Sequence, residues 1–298
     1  MSDPAVKFSV IIPTYNRCDF ITKTIESVLN QQYPNFEIIV VNDGSNDDTE
    51  TAVRAIVDPR IKYLYKLNEE RAAARNFGVL NSNGDYITFL DSDDILLSNH
   101  LSTAAEFICQ DSSPPIFHQG YDIANQSGKI IKRWKKLPDP VNEKLAEGNF
   151  LSCLGVFVRR DIIVNNLFNE DRDLSGSEDY ELWLRLAARH PIRTLATVTA
   201  TLVDHKTRSV ITIDVGKLIK RIFLLQKYLN QDATFLTYYK GTSLKKFHAY
   251  RCLYVALHLT MRENKTSGWY FLYRAMKHRP MIVRNFRFWV VLKKLIIN

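Results

Sequence analysis

The sequence contains few cysteines and no long apolar run. Its four cysteines lie far apart and form no C-x-x-C pair, so they indicate neither a disulfide framework nor a zinc site. No segment approaches the roughly 18 uninterrupted apolar residues of a membrane-spanning helix. Residues 1–4 carry neither the basic patch nor the apolar core of a signal peptide. We therefore expect the protein to be cytoplasmic.

Glycine-rich phosphate loops are missing as well. The chain has neither a G-x-G-x-x-G nor a Walker sequence, which argues against binding of dinucleotides or ATP. What the chain does have is a globular composition, with 46% hydrophobic and 24% charged residues over 298 positions. That amount of apolar material suffices for one large domain or two modest ones and excludes a disordered chain.

Charge is distributed unevenly along the chain. Residues 211–298 hold 17 Lys and Arg against three acids, a local charge of +14, so the first 210 residues carry −6 of the total of +8. We expect two regions, an acidic body over residues 1–210 and a basic, aromatic-rich helical region over residues 211–298.

The first hundred residues alternate short β-branched runs with amphipathic helical patterns. This alternation is typical of a sheet built from βαβ crossovers and of nucleotide-binding folds. Strands are predicted at residues 8–12, 37–41, 61–65 and 86–90, and helices at residues 18–30 and 70–80. Residues 116–160 mix apolar runs with Gly and Pro, which predicts strands and loops, and residues 194–203 are expected to return to the sheet.

Downstream the pattern is mostly helical. Ser177 is expected to cap a helix that starts at Glu178, and four further helices are predicted at residues 217–230, 244–262, 267–278 and 281–297. The last helix is predicted to carry two stripes, a mainly basic one with Arg284, Arg287, Val291 and Lys294, and an apolar one with Ile282, Phe286, Trp289 and Val290.

Three carboxylates follow directly on the fourth predicted strand. Asp91, Asp93 and Asp94 lie beyond the carboxyl end of a strand, where ligands bind in open α/β sheets. Like charges so close together repel one another unless a cation joins them. Carboxylate oxygens suit Mg²⁺ or Mn²⁺ shared with substrate phosphates. The alternative is that Asp93 or Asp94 caps a following turn.

Five segments, in order along the chain, resemble the motifs of family 2 glycosyltransferases, inverting enzymes with the GT-A fold. They are residues 10–16 (VIIPTYN), 40–45 (VVNDGS), 74–76 (ARN), 89–94 (FLDSDD) and 178–183 (EDYELW). Their order and spacing match over roughly residues 7–210. The resemblance implies an α/β fold with a mixed central sheet flanked by helices. It does not cover the tail, where the helical pattern predicts a C-terminal extension.

The resemblance also implies a site for a nucleotide-diphosphate sugar and a divalent metal, Mn²⁺ or Mg²⁺. Asp91 and Asp93 stand in the places of the metal-binding D-x-D element, with Asp91 also leaning toward the ribose. Nucleotide binding is carried over to Pro13, Tyr15, Asp43, Arg75, Asp91 and Ser92. From the residues alone, Tyr15 can be a loop aromatic and Asp43 a turn former. Arg75 can clamp a phosphate, fix the carboxylates of the D-x-D loop, or be a solvated helix charge.

Asp179 is implied to be the general base. A single displacement that inverts the anomeric carbon needs one carboxylate opposite the leaving diphosphate, to accept the proton of the attacking hydroxyl. Glu178 is implied to orient the loop. Both acids are also predicted in the first turn of a helix, where the helix dipole favours them whether or not they react.

Residues 203–209 (VDHKTRS) resemble the family segment that closes over the diphosphate. His205 is implied as a metal ligand and Arg208 as a phosphate partner, although a single histidine is more often structural. Glu70 departs from the family, whose members often have glycine there. Loops within residues 116–160 are expected to face the acceptor and to discriminate between sugars.

The resulting prediction is a metal-dependent transferase that moves one sugar, UDP-linked by default, to a hydroxyl of a glycan or lipid-linked glycan. Two alternatives stay open, a sugar-phosphate nucleotidyltransferase, which releases pyrophosphate, and a non-catalytic binder of sugar nucleotides or glycans. The basic tail is predicted to bind an anionic membrane surface, as a peripheral anchor on the inner face of the plasma membrane. Its alternative partners are the acidic body of the chain and nucleic acid. No nucleic-acid motif accompanies the tail, so nucleic acid is not expected.

Overall fold

The computed structural model describes residues 6–111, 113–205 and 214–297. The strands in these ranges are β1 (Phe8–Thr14), β2 (Phe36–Asp43), β3 (Ile61–Lys66), β4 (Tyr86–Phe89), β5 (Ile95–Leu96), β6 (Ile116–Asn125), β7 (Ile130–Lys132), β8 (Val156–Arg159) and β9 (Ile192–Asp204). The α-helices are α1 (Cys18–Leu29), α2 (Thr49–Arg54), α3 (Glu70–Leu80), α4 (His100–Gln110), α5 (Asn142–Leu145), α6 (Arg160–Ile163), α7 (Glu178–Ala187), α8 (Val215–Gln231), α9 (Ala233–Tyr238), α10 (Thr242–Thr260), α11 (Lys265–His278) and α12 (Phe286–Ile297).

All nine strands join one mixed sheet. Its order is β3-β2-β1-β4-β8-β6-β9-β5, with β7 paired to β6. Strand β1 runs parallel to both β2 and β4, whereas β8 runs antiparallel to β4 and β6. The carboxyl ends of β1, β2 and β4 therefore meet at one edge, and this edge is where ligands bind in such sheets. The predicted mixed sheet flanked by helices is confirmed.

Alternating residues of the central strands enter two apolar cores, one on each face of the sheet. Ile11 and Ile39 belong to a core that also contains residues of α3 and α7. Val10 and Ile38 belong to the opposite core, with residues of α1 and α4. Because both faces are covered, β1 and β2 are apolar almost throughout, as buried parallel strands are. The six elements predicted before residue 90 are confirmed to within two residues at each end.

Residues 116–160 contain strands and loops, as the sequence predicts. Strands β6 and β8 lie within the central sheet, and Ile116, Phe117 and Phe157 are fully buried there. Apolar side chains on both faces of these strands leave no solvent side, so the strands pack inside the fold. Between them, residues 126–155 contain β7, which pairs with β6, and the short helix α5.

The C-terminal helices pack on the body as well as on one another. Leu225, Leu229, Phe235 and Phe247 share an apolar core with sheet residues, while α10, α11 and α12 contribute to a separate core. The predicted domain boundary at residue 210 falls in residues 206–213, outside the described residues. No helix in the described ranges combines the length and the apolar character needed to cross a bilayer.

The last predicted helix is interrupted, which corrects the sequence prediction. Residues Pro280–Arg284 form a 3-10 turn, and α12 begins only at Phe286. The side chain of Asn285 accepts a hydrogen bond from the backbone N–H of Arg287 at 2.8 Å, and this bond ends the turn and starts the helix. Arg284 therefore does not share a helical stripe with Arg287. Val291 is fully buried rather than part of a basic stripe.

Candidate functional site

A cavity of about 570 Å³ opens at the carboxyl ends of β1, β2 and β4. Nine of the residues predicted for the site line it, namely Pro13, Tyr15, Asp43, Arg75, Asp91, Ser92, Asp93, Glu178 and Asp179. His205 contacts one of them, Asp93. Arg208 lies in residues 206–213, outside the described residues. The topology thus gathers at one place residues that are up to about 165 positions apart in the chain.

Asp93 lies next to His205, 112 residues further along the chain. His205 Nε2 is 2.9 Å from Asp93 Oδ2, and the imidazole stacks on Phe20 with the ring centroids 4.9 Å apart. Arg17 Nε is 3.4 Å from the same carboxylate oxygen. Asp93 and His205 come together because β5, which directly follows the turn that contains Asp93, pairs antiparallel with the end of β9.

Asp94 has a structural part in the same turn. Its Oδ1 accepts a hydrogen bond from the backbone N–H of Val203 at 2.9 Å, and the residue is buried. This contact fixes the end of β9 against the acidic turn, and so it positions His205 beside Asp93.

Arg75 links three distant segments through charge-assisted hydrogen bonds. Its Nη2 is 2.7 Å from Asp91 Oδ1 and its Nη1 is 2.9 Å from Glu178 Oε1. The guanidinium is almost completely buried, with 2% of the side chain exposed, so these hydrogen bonds act in a region of low dielectric. Burial opposes the charged form, but Cys153, Asp91 and Glu178 together raise the pKa of Arg75 well above its ordinary value. Arg75 is therefore a charged anchor inside the fold and not a solvated helix charge.

The two acids at the start of α7 differ in their electrostatics. Burial acts to raise the pKa of Glu178, but Arg71 and Arg75 outweigh it and lower that pKa. Burial and the neighbouring Glu178 carboxylate raise the pKa of Asp179 to about 6, although Arg75 acts in the opposite direction. Such a separation of pKa values between two adjacent carboxyls is typical of residues with different tasks.

The start of α7 is shaped by a backbone contact. Ser177 precedes the helix as predicted, but its side chain makes no capping hydrogen bond within the described residues. Glu178 Oε2 instead accepts a hydrogen bond from the N–H of Gly176 at 2.5 Å. Gly176 has a φ of +86°, and a Cβ atom there would meet Arg221 Nη1 at 2.3 Å. Only glycine fits this turn without strain.

One end of the cavity is built around Asp43, a residue predicted to bind the nucleotide. Asp43 Oδ1 accepts hydrogen bonds from Lys66 Nζ and from the backbone N–H of Glu69, both at 3.0 Å. Gly44 follows with a φ of +76°, as a tight turn requires. Tyr15 is 47% exposed, so its ring is available to a ligand at the mouth of the cavity.

Asn149 is a site residue that the sequence reasoning missed. Its Nδ2 donates a hydrogen bond to Asp179 Oδ2 at 2.9 Å. Asn149 lies in the irregular stretch that follows α5, where no periodic pattern or motif points to it. Arg17, which contacts Asp93, was also missed, although its place directly after the VIIPTYN segment is a usable signal.

A second cavity, of about 770 Å³, lies on the other side of Asn149. Its walls come from residues 132–138, residues 144–150 and three C-terminal helices, α8, α10 and α12. Gly176 lines both cavities. Asp179 therefore lies at the boundary between them, in the wall of the first and hydrogen-bonded to the wall of the second.

Comparison with known sequences identifies the family. The sequence model for glycosyl transferase family 2 matches residues 9–157. An uncharacterized glycosyltransferase of Rickettsia bellii is 36% identical over 187 residues, which is 62% of this chain and 27% of that protein. The GalNAc(5)-diNAcBac-PP-undecaprenol β-1,3-glucosyltransferase of Campylobacter jejuni is 32% identical over 191 residues, covering 60% of this chain and 59% of the enzyme. The match to the Rickettsia bellii relative thus spans about a quarter of its length.

Solved structures show the same architecture. S. aureus TarS residues 1–349, in complex with UDP-GlcNAc, superposes with a TM-score of 0.68 and 18% identity, covering 98% of this chain and 88% of that one. The mannosyltransferase PcManGT of Pyrobaculum calidifontis, in complex with GDP-Man and Mn²⁺, gives a TM-score of 0.58 and 16% identity, covering 97% and 79%. With these folds and the family match together, the chain belongs to glycosyl transferase family 2 and has the GT-A fold.

Proposed function

We propose that this protein transfers a sugar from a nucleotide-diphosphate donor, UDP-linked by preference, to a hydroxyl group of a glycan or lipid-linked glycan, with inversion at the anomeric carbon. The position of Asp179 between two cavities carries the proposal. A carboxylate at this boundary can accept the proton of a hydroxyl that arrives from the second cavity while the donor occupies the first. The relatives that act on a lipid-linked glycan or bind UDP-GlcNAc support this choice of substrates.

The reaction needs one proton acceptor. The acceptor oxygen forms a bond to the anomeric carbon as the bond from that carbon to the diphosphate oxygen breaks, and the electron pair of the broken bond stays on the diphosphate. The hydroxyl proton moves to Asp179. With a pKa of about 6, this carboxylate is mostly ionised at pH 7 and still basic enough to take the proton. Asn149 holds it in place.

The residues present fit a divalent ion, Mn²⁺ or Mg²⁺. Asp93 and His205 place a carboxylate oxygen and an imidazole nitrogen 2.9 Å apart. Asp91, whose Oδ1 contacts Arg75, lines the same cavity as Asp93. A bound ion supplies Lewis-acid neutralisation of the departing diphosphate. No group of three or more His, Cys, Asp or Glu side chains arranged for a metal occurs in the described ranges. We therefore expect diphosphate oxygens and water to complete the shell.

The C-terminal helices are proposed as a peripheral anchor on an anionic, cytosolic membrane surface. Trp269 on α11 and Phe286 and Trp289 on α12 are all exposed, the last two at 79% and 56%. They lie in the region whose local charge is +14. Exposed aromatic and basic residues together suit the headgroup region of anionic lipid. Such an anchor brings a lipid-linked acceptor to the second cavity.

A panel of nucleotide sugars tests the proposal. We expect release of a nucleoside diphosphate that depends on donor, Mn²⁺ and acceptor. Release of pyrophosphate from a nucleoside triphosphate would instead indicate a nucleotidyltransferase, and binding of donor without turnover would indicate a silent binder.

Asp93→Ala is expected to weaken UDP binding in the presence of Mn²⁺ by at least about tenfold, measured by calorimetry, whereas Glu106→Ala on the exposed face of α4 leaves it unchanged. An equal affinity of wild type with and without Mn²⁺ would contradict the ligand role.

A further inference from the structure

The second cavity is strongly cationic. Seven of its lining residues are Lys or Arg, and Glu147 is the one carboxylate among them. These cations come from separate elements, including β7, α5, α10 and α12. Their convergence is a property of the folded chain, because it combines cations of the body with those of the basic C-terminal region.

Most of this charge is not neutralised by the protein. Lys144 pairs with Glu147, Arg133 lies 3.7 Å from a carboxylate oxygen of Asp122, and the buried Arg251 contacts the hydroxyl of Tyr180. Lys132, Lys135 and Lys136, by contrast, form no ion pair with any carboxylate of the described residues, and the same holds for Arg287. Several uncompensated cations around one cavity repel one another, and an anionic ligand relieves that repulsion.

Aromatic rings lie among these cations. Tyr121, Trp134, Phe150 and Tyr250 line the cavity, and Trp134 is held in place by stacking on His118, with the ring centroids 5.1 Å apart. Aromatic rings provide broad apolar faces against which the C–H faces of a sugar ring can pack. The lining therefore suits a molecule with sugar or polyol units and several negative charges.

We infer that the second cavity is the acceptor site and that it binds phosphate groups of the acceptor. The inference rests on the proposed function, since it assigns the acceptor's hydroxyl to Asp179. Asn149 connects the cavity to Asp179, so a hydroxyl can reach the carboxylate while phosphates contact residues 132–136. Lysine and arginine donors bind phosphate oxygens strongly. The phosphates can be the diphosphate that links a glycan to a lipid or the phosphodiesters of a polymer.

Binding measurements with defined probes test the inference. The probes are a soluble glycerol phosphate oligomer, a polyprenyl diphosphate-linked N-acetylglucosamine in detergent micelles, and two controls without phosphate, maltoheptaose and polygalacturonate. We expect at least one phosphate probe to bind at least tenfold more tightly than either control. Tighter binding of the glycerol phosphate oligomer would identify the phosphodiesters of a polymer as the ligand. Tighter binding of the polyprenyl diphosphate probe would identify the diphosphate that links a glycan to a lipid. No binding of either, or equal affinity for polygalacturonate, would overturn the inference.

Charge reversal locates the site. Lys135→Glu/Lys136→Glu is expected to weaken binding of the phosphate probe at least tenfold and to leave UDP affinity unchanged. The matched variant Lys23→Glu/Lys62→Glu carries the same charge change on exposed positions outside the cavity and is expected to bind as wild type does. Equal effects of the two double variants would contradict the site. Failure of wild type to bind UDP would count against the proposed function, independently of these results.

Discussion

Arg75 shows at the level of a single residue how burial and charge determine the site. It holds Asp91 and Glu178 with hydrogen bonds of 2.7 and 2.9 Å from a position that is 2% exposed. Lysine cannot replace it, because an ammonium group lacks the planar pair of donors that reaches two carboxylates at once. From sequence, Arg75 could be a phosphate clamp, a group that fixes the carboxylates of the D-x-D element, or a solvated charge, and the contact with Asp91 agrees with the second reading.

The pH dependence of transfer follows from Asp179. The base must be ionised, so kcat/KM is expected to rise with pH up to about 6 and to level off above it. Asn149→Ala removes a hydrogen bond that stabilises the ionised form, and this raises the pKa of Asp179. The acid limb of the profile then moves to higher pH, by about one unit, while Asn83→Ala on a remote exposed loop leaves it in place. A superimposable profile for Asn149→Ala would contradict the positioning role.

The backbone at Glu70 accounts for the glycine that family members often have at this position. Its φ is +76°, in the left-handed region where glycine carries no steric penalty. Glu70→Gly and Glu70→Ala both remove the carboxylate, but only glycine removes the steric penalty of the positive φ. We expect Glu70→Gly to be more stable than Glu70→Ala by about 1 kcal/mol in urea denaturation. Equal stability of the two variants would show that the backbone is not strained there.

Elements with a strong local pattern were predictable. The amphipathic, Ala-rich stretch predicted as a helix at residues 70–80 is α3 with the same bounds, because its apolar spacing and helix propensity agree. The final helix was predicted as continuous because apolar residues occur on both sides of Asn285. The structure breaks the helix at Asn285, whose side chain accepts a hydrogen bond from the backbone N–H of Arg287. The contact between Asp93 and His205 depends on the order of the strands in the sheet, which the sequence pattern does not give. His205 was predicted from the resemblance to the family and not from its spacing in the sequence.

The turn that starts α7 is expected to be sensitive to a single methyl group. Gly176→Ala adds a Cβ atom that meets Arg221 at 2.3 Å in a backbone with φ of +86°. Gly128→Ala has a similar φ of +81° but open space around it, so it measures the backbone penalty alone. We expect Gly176→Ala to lose about 1–3 kcal/mol more stability than Gly128→Ala, read by chemical denaturation. Equal losses would mean that Arg221 moves aside at no cost.

For the molecule as a whole, the proposed membrane anchor predicts a specific loss of binding. Removing α12 entirely is a poor test, because Phe288, Val291 and Leu295 of this helix are buried in the C-terminal core. Trp269→Ser/Phe286→Ser changes only exposed side chains and is expected to reduce sedimentation with anionic liposomes several-fold. Val57→Ser/Leu80→Ser likewise replaces two exposed apolar side chains with serine, on the body of the protein, and is expected to have no effect. Binding that is equal in both double variants would exclude these helices as the anchor.

In the proposed reaction one carboxylate, that of Asp179, takes a proton from the acceptor hydroxyl as the sugar leaves the donor. The most direct measurement compares sugar transfer by wild type, Asp179→Asn and the control Glu106→Gln, with UDP affinity measured on the same samples. We predict that Asp179→Asn loses about 10²- to 10⁴-fold in kcat and keeps its affinity for UDP, while Glu106→Gln matches wild type in both. Near-normal turnover by Asp179→Asn would contradict the assignment of the base and the mechanism built on it.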